Sequence, residues 1–141
     1  MPFTAEEFRK IVDKNHLTHR IDDDGNFVIG FAANENDPLS IMVVYSIRDV
    51  QLHIRAYCQN FMDAGDVQKG MTICNQWNIE RFIPKTYLDA NRTFVAEWSL
   101  LMDDDTTMEY VDTYAIHVIP AMMSSFFGYV DDKMNPSKIA E

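Results

Sequence analysis

The sequence predicts an α+β fold: an antiparallel sheet of about five strands together with helices. Three observations carry that reading. Several segments alternate apolar and polar residues and are joined by short turns, the arrangement of antiparallel neighbours. A capped amphipathic helix precedes them and a second helix interrupts them. A long, strongly apolar helix follows the last strand. The element order is α-β-β-β-α-β-β-α, with an extra short strand near the start.

The first helix is signalled by a capping box, Thr4 with Glu7, and by Phe3 and Phe8 at the staple positions. Phe8, Ile11 and Val12 form a narrow apolar stripe, so one side of this helix should face water. The cluster DDDGN is a strong turn signal between strands at 18–21 and 27–32. A second polar turn, ANENDPLS, leads to Ile41, Val43, Tyr45 and Ile47, alternating with Met42, Val44, Ser46 and Arg48. Beyond Asp49, the apolar positions Leu52, Ile54, Ala56 and Cys58 alternate with Gln51, His53, Arg55 and Tyr57, as in a strand with one wet face.

The second helix is expected over 64–77, with Asp63 as its N-cap and Asn78 as a left-handed stop. Gly70 weakens its middle. A hairpin follows, with strands at 83–88 and 94–102 around Asp89-Ala90-Asn91-Arg92. Phe94, Ala96, Trp98, Leu100 and Met102 point one way, and Val95, Glu97 and Ser99 the other. After the acidic turn at 103–105, Thr106 and Glu109 suggest another capping box and a helix running to about Val130. Pro120 should kink or split that helix. Residues 1–131 are thus expected to form one domain, and 132–141 a loose tail.

Composition narrows the function classes. With 12 Lys and Arg against 22 Asp and Glu, the formal charge is −10. The cations are scattered singly, which argues against nucleic acid and anionic membrane as partners. Cys58 and Cys74 have neither disulfide-scaffold nor zinc spacing. The amino terminus lacks an apolar signal core, and the apolar tract near the end is interrupted by His117, Pro120, Ser124 and Ser125. A cytoplasmic location is the resulting expectation.

No motif of enzyme chemistry is present. Asp22, Asp24 and Asn26 open like a calcium loop, but Phe27 stands where that loop needs glycine and Ala33 where it needs glutamate. His16, His19, His53 and His117 form neither HxxxH nor HExxH, and GxSxG, GxGxxG and Walker-type loops are missing. No metal or cofactor is expected. Asn75 and Asn78, flanking Trp77 at the end of the second helix, read as a helix stop whose amides bond the backbone and aim the hairpin; ligand contact is the alternative.

The last helix is more apolar than one buried stripe requires. Val118, Met122, Met123, Phe126 and Phe127 are therefore expected to form an exposed strip for a protein partner or a second copy of the chain, as a two-fold homodimer. The function that follows from the residues is a non-enzymatic protein-binding domain. Its working surface would combine that helix with one sheet face. The alternatives are a small-molecule sensor and a small hydrolase or isomerase with a sheet-lined pocket.

The run ICNQWNIERF, then the hairpin KTYLDANRTFVAEWSLLM, an acidic turn and an apolar helix ending near SSFFG together resemble the YbjN domain family, associated with bacterial sensory transduction. The resemblance implies a fold similar to type III secretion chaperones, a curved antiparallel sheet flanked by helices and often dimeric, with no enzyme activity and no cofactor, and it makes the expected binding domain a regulatory or chaperone-like one.

Overall fold

The computed structural model describes residues 3–32 and 36–136. Helix α1 (Ala5–Lys14) starts at the expected box: the Thr4 hydroxyl accepts from the Glu7 N–H at 3.2 Å, and the Glu7 carboxylate accepts from the Thr4 N–H at 3.3 Å. Two donors that the helix cannot satisfy itself are thereby met. Phe8, Ile11 and Val12 form its buried stripe.

Strands β1 (His19–Ile21), β2 (Phe27–Phe31), β3 (Ile41–Arg48), β4 (Gln51–Cys58), β5 (Lys85–Leu88) and β6 (Phe94–Leu101) build one antiparallel sheet. Its order is β1-β2-β3-β4-β6-β5, so the short early strand is a true sixth member. The DDDGN run is turn chemistry. Asp22 Oδ1 accepts from the N–H groups of Asp24 and Asn26 at 3.0 and 2.8 Å, and Gly25 takes a φ of 81°. The ANENDPLS turn lies partly outside the described residues.

Cross-strand register sorts the side chains onto two faces. Phe27, Tyr45, Ile54 and Trp98 are successive neighbours on one of them. With Ile29, Val43, Ala56, Phe94 and Ala96 they join buried residues of the helices in one core, so the helices cover this face.

Helix α2 (Val67–Glu80) is shifted three residues from the expected span. Its cap is Asp66, which accepts from the Lys69 N–H at 3.1 Å. Asp63 instead accepts from the Gly65 N–H at 2.8 Å and pairs with Arg92 at 3.1 Å. Gly70 answers to packing: a Cβ there would meet Leu88 of β5 at 2.8 Å.

After β6, α3 (Met108–Val111) is capped by Thr107, one residue later than expected, because the Thr106 hydroxyl is taken by the Asp103 N–H at 2.8 Å. A seven-residue π-helical segment (Asp112–Val118) continues directly into α4 (Ile119–Met134). Pro120 neither splits nor ends this run. It falls in the first turn of α4, just after the wider π turns, where its missing donor matters least. The buried Tyr45 hydroxyl donates to the Ala115 carbonyl at 2.6 Å and fastens the π segment to the sheet. Helix α4 extends three residues into the expected tail, and residues 137–141 lie outside the described residues. No helix among the described residues is long and apolar enough to cross a membrane.

Candidate binding face

The last helix does not present the strip its composition suggests. Met123, Phe126 and Phe127 are fully buried, Val118 is half-buried, and only Met122, at 37% exposure, reaches the surface. The reason is a second neighbour. α4 lies on the sheet and against α2 at once, so two of its sides are apolar. The Phe126 ring sits 5.3 Å from Trp77 of α2 and 6.4 Å from Phe94 of β6, centroid to centroid. The expected interface of Val118, Met122, Met123, Phe126 and Phe127 is therefore corrected to a core with an exposed margin.

The Asn-Trp-Asn element has a clearer role than a helix stop. Asn78 stays helical, two residues before the end of α2. Its amide donates to the Thr86 carbonyl at 2.9 Å and accepts from the Thr86 N–H at 3.0 Å. The Trp77 indole N–H donates to the Pro84 carbonyl at 3.0 Å, and the Thr86 hydroxyl donates to the Cys74 carbonyl at 3.1 Å. The helix thus holds strand β5 by its backbone, which is the hairpin-aiming job expected of it. Asn75 is exposed and lines a shallow cleft of about 360 Å³ between α2 and β5.

The buried apolar residues of the helices join the core on the covered face, so among the described residues no α-helix packs on the other side of the sheet, and its residues form a legible pattern. Arg20, Val28, Val44, Arg55, Glu97 and Lys85 are successive cross-strand partners, one row running through all six strands. One step along lie Ser46, His53 and Ser99, with Ser46 donating to Asn26 Oδ1 at 2.7 Å. One step the other way lie Gly30, Met42 and Tyr57. Alternation positions these residues, because neighbours in sequence point to opposite faces of the sheet.

Glu97 is the hub of this face. Its carboxylate accepts from the Tyr87 hydroxyl at 2.7 Å and pairs with Lys85 at 2.9 Å and His53 at 3.3 Å. Burial pushes its carboxyl upward, but the bonds from Tyr87 and Lys85 and the nearby His53 outweigh that and hold it below its ordinary value. Burial, with the bond to Glu97 after it, raises the Tyr87 phenol. The face therefore presents a fixed carboxylate, cations and phenols to water, an arrangement suited to recognising charge.

A second concave site adjoins the π segment. A cleft of about 570 Å³ is lined by Leu17, Phe31, Leu39 and Pro120, with Asn15 and His117 at its rim. Asp112 accepts from Asn15 at 2.9 Å and from Lys14 at 3.4 Å, and lies 3.3 Å from His117. Among the described residues no group of three or more His, Cys, Asp or Glu could hold a metal. Cys58 and Cys74 are free and buried. Burial pushes the Cys74 thiol up to about 11 against the pull of the Thr86 hydroxyl, so it stays protonated and inert near neutrality. Sequence reading missed the Arg20–Lys85 row because alternation fixes faces but not register. A tally of charge by strand would have found it.

These features define an open-faced α+β domain: an antiparallel sheet with helices packed on one side and a charged row across the other. The chain belongs to the YbjN family, described as "Putative bacterial sensory transduction regulator", whose profile matches residues 4–131. Its fold is similar to the crystal structure of YbjN, "a putative transcription regulator" from E. coli, with a TM-score of 0.68 and 12% identity over 89% of each chain. No curated protein matches the chain.

Proposed function

We propose that this chain is a non-enzymatic regulatory domain that works by binding a partner protein on the open face of its sheet. The partition of charge carries this reading. Strands hold four of the 12 Lys and Arg residues (Arg20, Arg48, Arg55, Lys85) and one of the 22 Asp and Glu residues, Glu97. All five occupy outward positions. Eight cations against twenty-one acids remain elsewhere in the chain. A positive plate on an acidic body steers an acidic partner toward the sheet and repels it from the helices. The same acidic surroundings oppose a long polyanion such as nucleic acid. Regulation by docking suits a family described as regulators, and it requires no second copy of the chain.

Differential capture tests this. The tagged chain, its Met42→Glu variant on the sheet face and its Phe82→Glu variant in the bend between α2 and β5 are used as baits in the native cell. Captured proteins are identified by mass spectrometry and the binding is rebuilt from purified components. Phe82 is the control because it is 95% exposed, the most exposed large apolar residue of the described chain. A partner lost by Met42→Glu and kept by Phe82→Glu is the expected result; the reverse pattern overturns the reading.

A small-molecule sensor is the second reading, favoured by the cleft beside the π segment, since π turns recur at functional sites. Native mass spectrometry showing a ligand that is lost on His117→Ala would move the function there.

A further inference from the structure

We infer that Arg55 is the anchor of the open face and that it receives a carboxylate from an acidic, extended segment of the partner protein. This rests on the sheet face being the binding surface, and it names what that surface reads.

Arg55 stands directly across from Glu97, the position where an Arg–Glu cross-strand pair would form. That carboxylate is already occupied by Tyr87, Lys85 and His53. Arg55 makes no hydrogen bond or ion pair with any described residue, and its Nε is buried without an acceptor. Nε is shut off from solvent, so a group from outside reaches Arg55 through the two terminal nitrogens, which likewise make no hydrogen bond with a described residue and can donate to two oxygens. A guanidinium is a planar fork that matches a carboxylate in two parallel hydrogen bonds. The half-buried setting strengthens such a contact relative to one in open water.

The row also sets a spacing. Arg20 and Arg55 lie three strands apart with Val28 and Val44 between them. Three inter-strand steps cover about 14 Å. An extended peptide advances roughly 3.4 Å per residue and shows every second side chain to one side. A segment lying across the strands therefore places acidic residues four apart over the two arginines, with an apolar residue midway over the valines. Glu97 beyond Arg55 disfavours a further acid on that side.

The probe is the peptide Ser-Glu-Ser-Val-Ser-Glu-Ser. Its controls are the version with both glutamates replaced by glutamine and a version with the two glutamates adjacent. Binding to the full chain is followed by nitrogen-edited NMR, including the Arg55 Nε–H resonance, and by fluorescence titration. The spaced peptide should shift the Arg55 Nε–H and lose affinity about tenfold with Arg55→Gln. Arg55→Lys should fall between, and Arg20→Gln should cost about threefold. Circular dichroism confirms that each variant is folded. An unshifted Arg55 resonance, equal binding by the spaced and adjacent peptides, or an unchanged affinity in Arg55→Gln overturns the inference. So does an oligonucleotide that displaces the peptide from Arg55 at lower concentration, since the face would then read phosphate. The two layers fail separately. A partner sensitive to Met42→Glu that still binds Arg55→Gln at wild-type affinity removes the anchor and keeps the face. A partner sensitive only to Phe82→Glu removes the face.

Discussion

The two faces of this sheet are written in the same strands, one residue out of step, and they obey different physics. On the covered face, Phe27, Tyr45 and Ile54 are buried, with Trp98 packed against them, in one core with residues of the helices. On the open face, the row from Arg20 to Lys85 crosses those four strands and both edge strands, with charge at both ends. The first face is held by area and close packing, which tolerate no gap. The second is held by little and leaves Arg55 unpaired. Stability and recognition are thus separated by the pleat of the backbone, and substitutions on the two faces should behave differently.

The sharpest contrast comes from the covered face. Phe126→Ala should lower stability by about 3–5 kcal/mol in urea unfolding, because it opens a cavity between α4, Trp77 and Phe94. A charge at Phe126 should unfold the chain outright instead of merely separating an assembly. Asn78→Ala should cost about 1–2 kcal/mol, since the buried Thr86 loses its partner for both backbone groups. Hydrogen exchange at the Thr86 amide should speed up far more than at the centre of β4.

The open face should respond to pH before it responds to packing. Glu97 is held below the ordinary glutamate value of 4.5, so its contribution to stability is complete above that value and is lost as pH falls through the lowered folded-state value. Glu97→Gln should therefore flatten the acid limb of stability as pH falls below the ordinary glutamate value of 4.5, read by thermal melts. Smallest of all, Arg55→Gln should change stability by no more than about 0.5 kcal/mol in either direction, as expected of a side chain that bonds to no described residue. A loss as large as that of Phe126→Ala would break the comparison between the faces.

Much of the fold was legible because alternation is a two-residue signal with no competing reading. Leu52, Ile54, Ala56 and Cys58 announced the covered face of β4, and all four are buried. The capping box at Thr4 and Glu7 was equally direct. The misread element was α4. An apolar count tells how much side chain must be hidden but not which neighbour hides it, and α2 does so through Trp77. Asparagine suits a helix stop that bonds the backbone and aims the hairpin; Asn78 does hold a strand eight residues on, but the helix runs two residues past it. The π segment carried no sequence signal beyond Pro120, because its wider turns depend on tertiary contacts such as Tyr45 with Ala115. Arg55 could not be singled out until register set it opposite a carboxylate already taken.

One consequence of the Asn78 contact concerns crowding inside a cell. Strand β5 is an outermost strand, and an exposed rail of backbone donors and acceptors invites a stranger's chain to zip on. A single side-chain amide imitates the missing seventh strand at Thr86 and occupies both groups there. The opposite margin, β1, is only three residues long. Fibre-like growth by strand addition is discouraged at both margins, and the charged plane between them stays free for a chosen visitor.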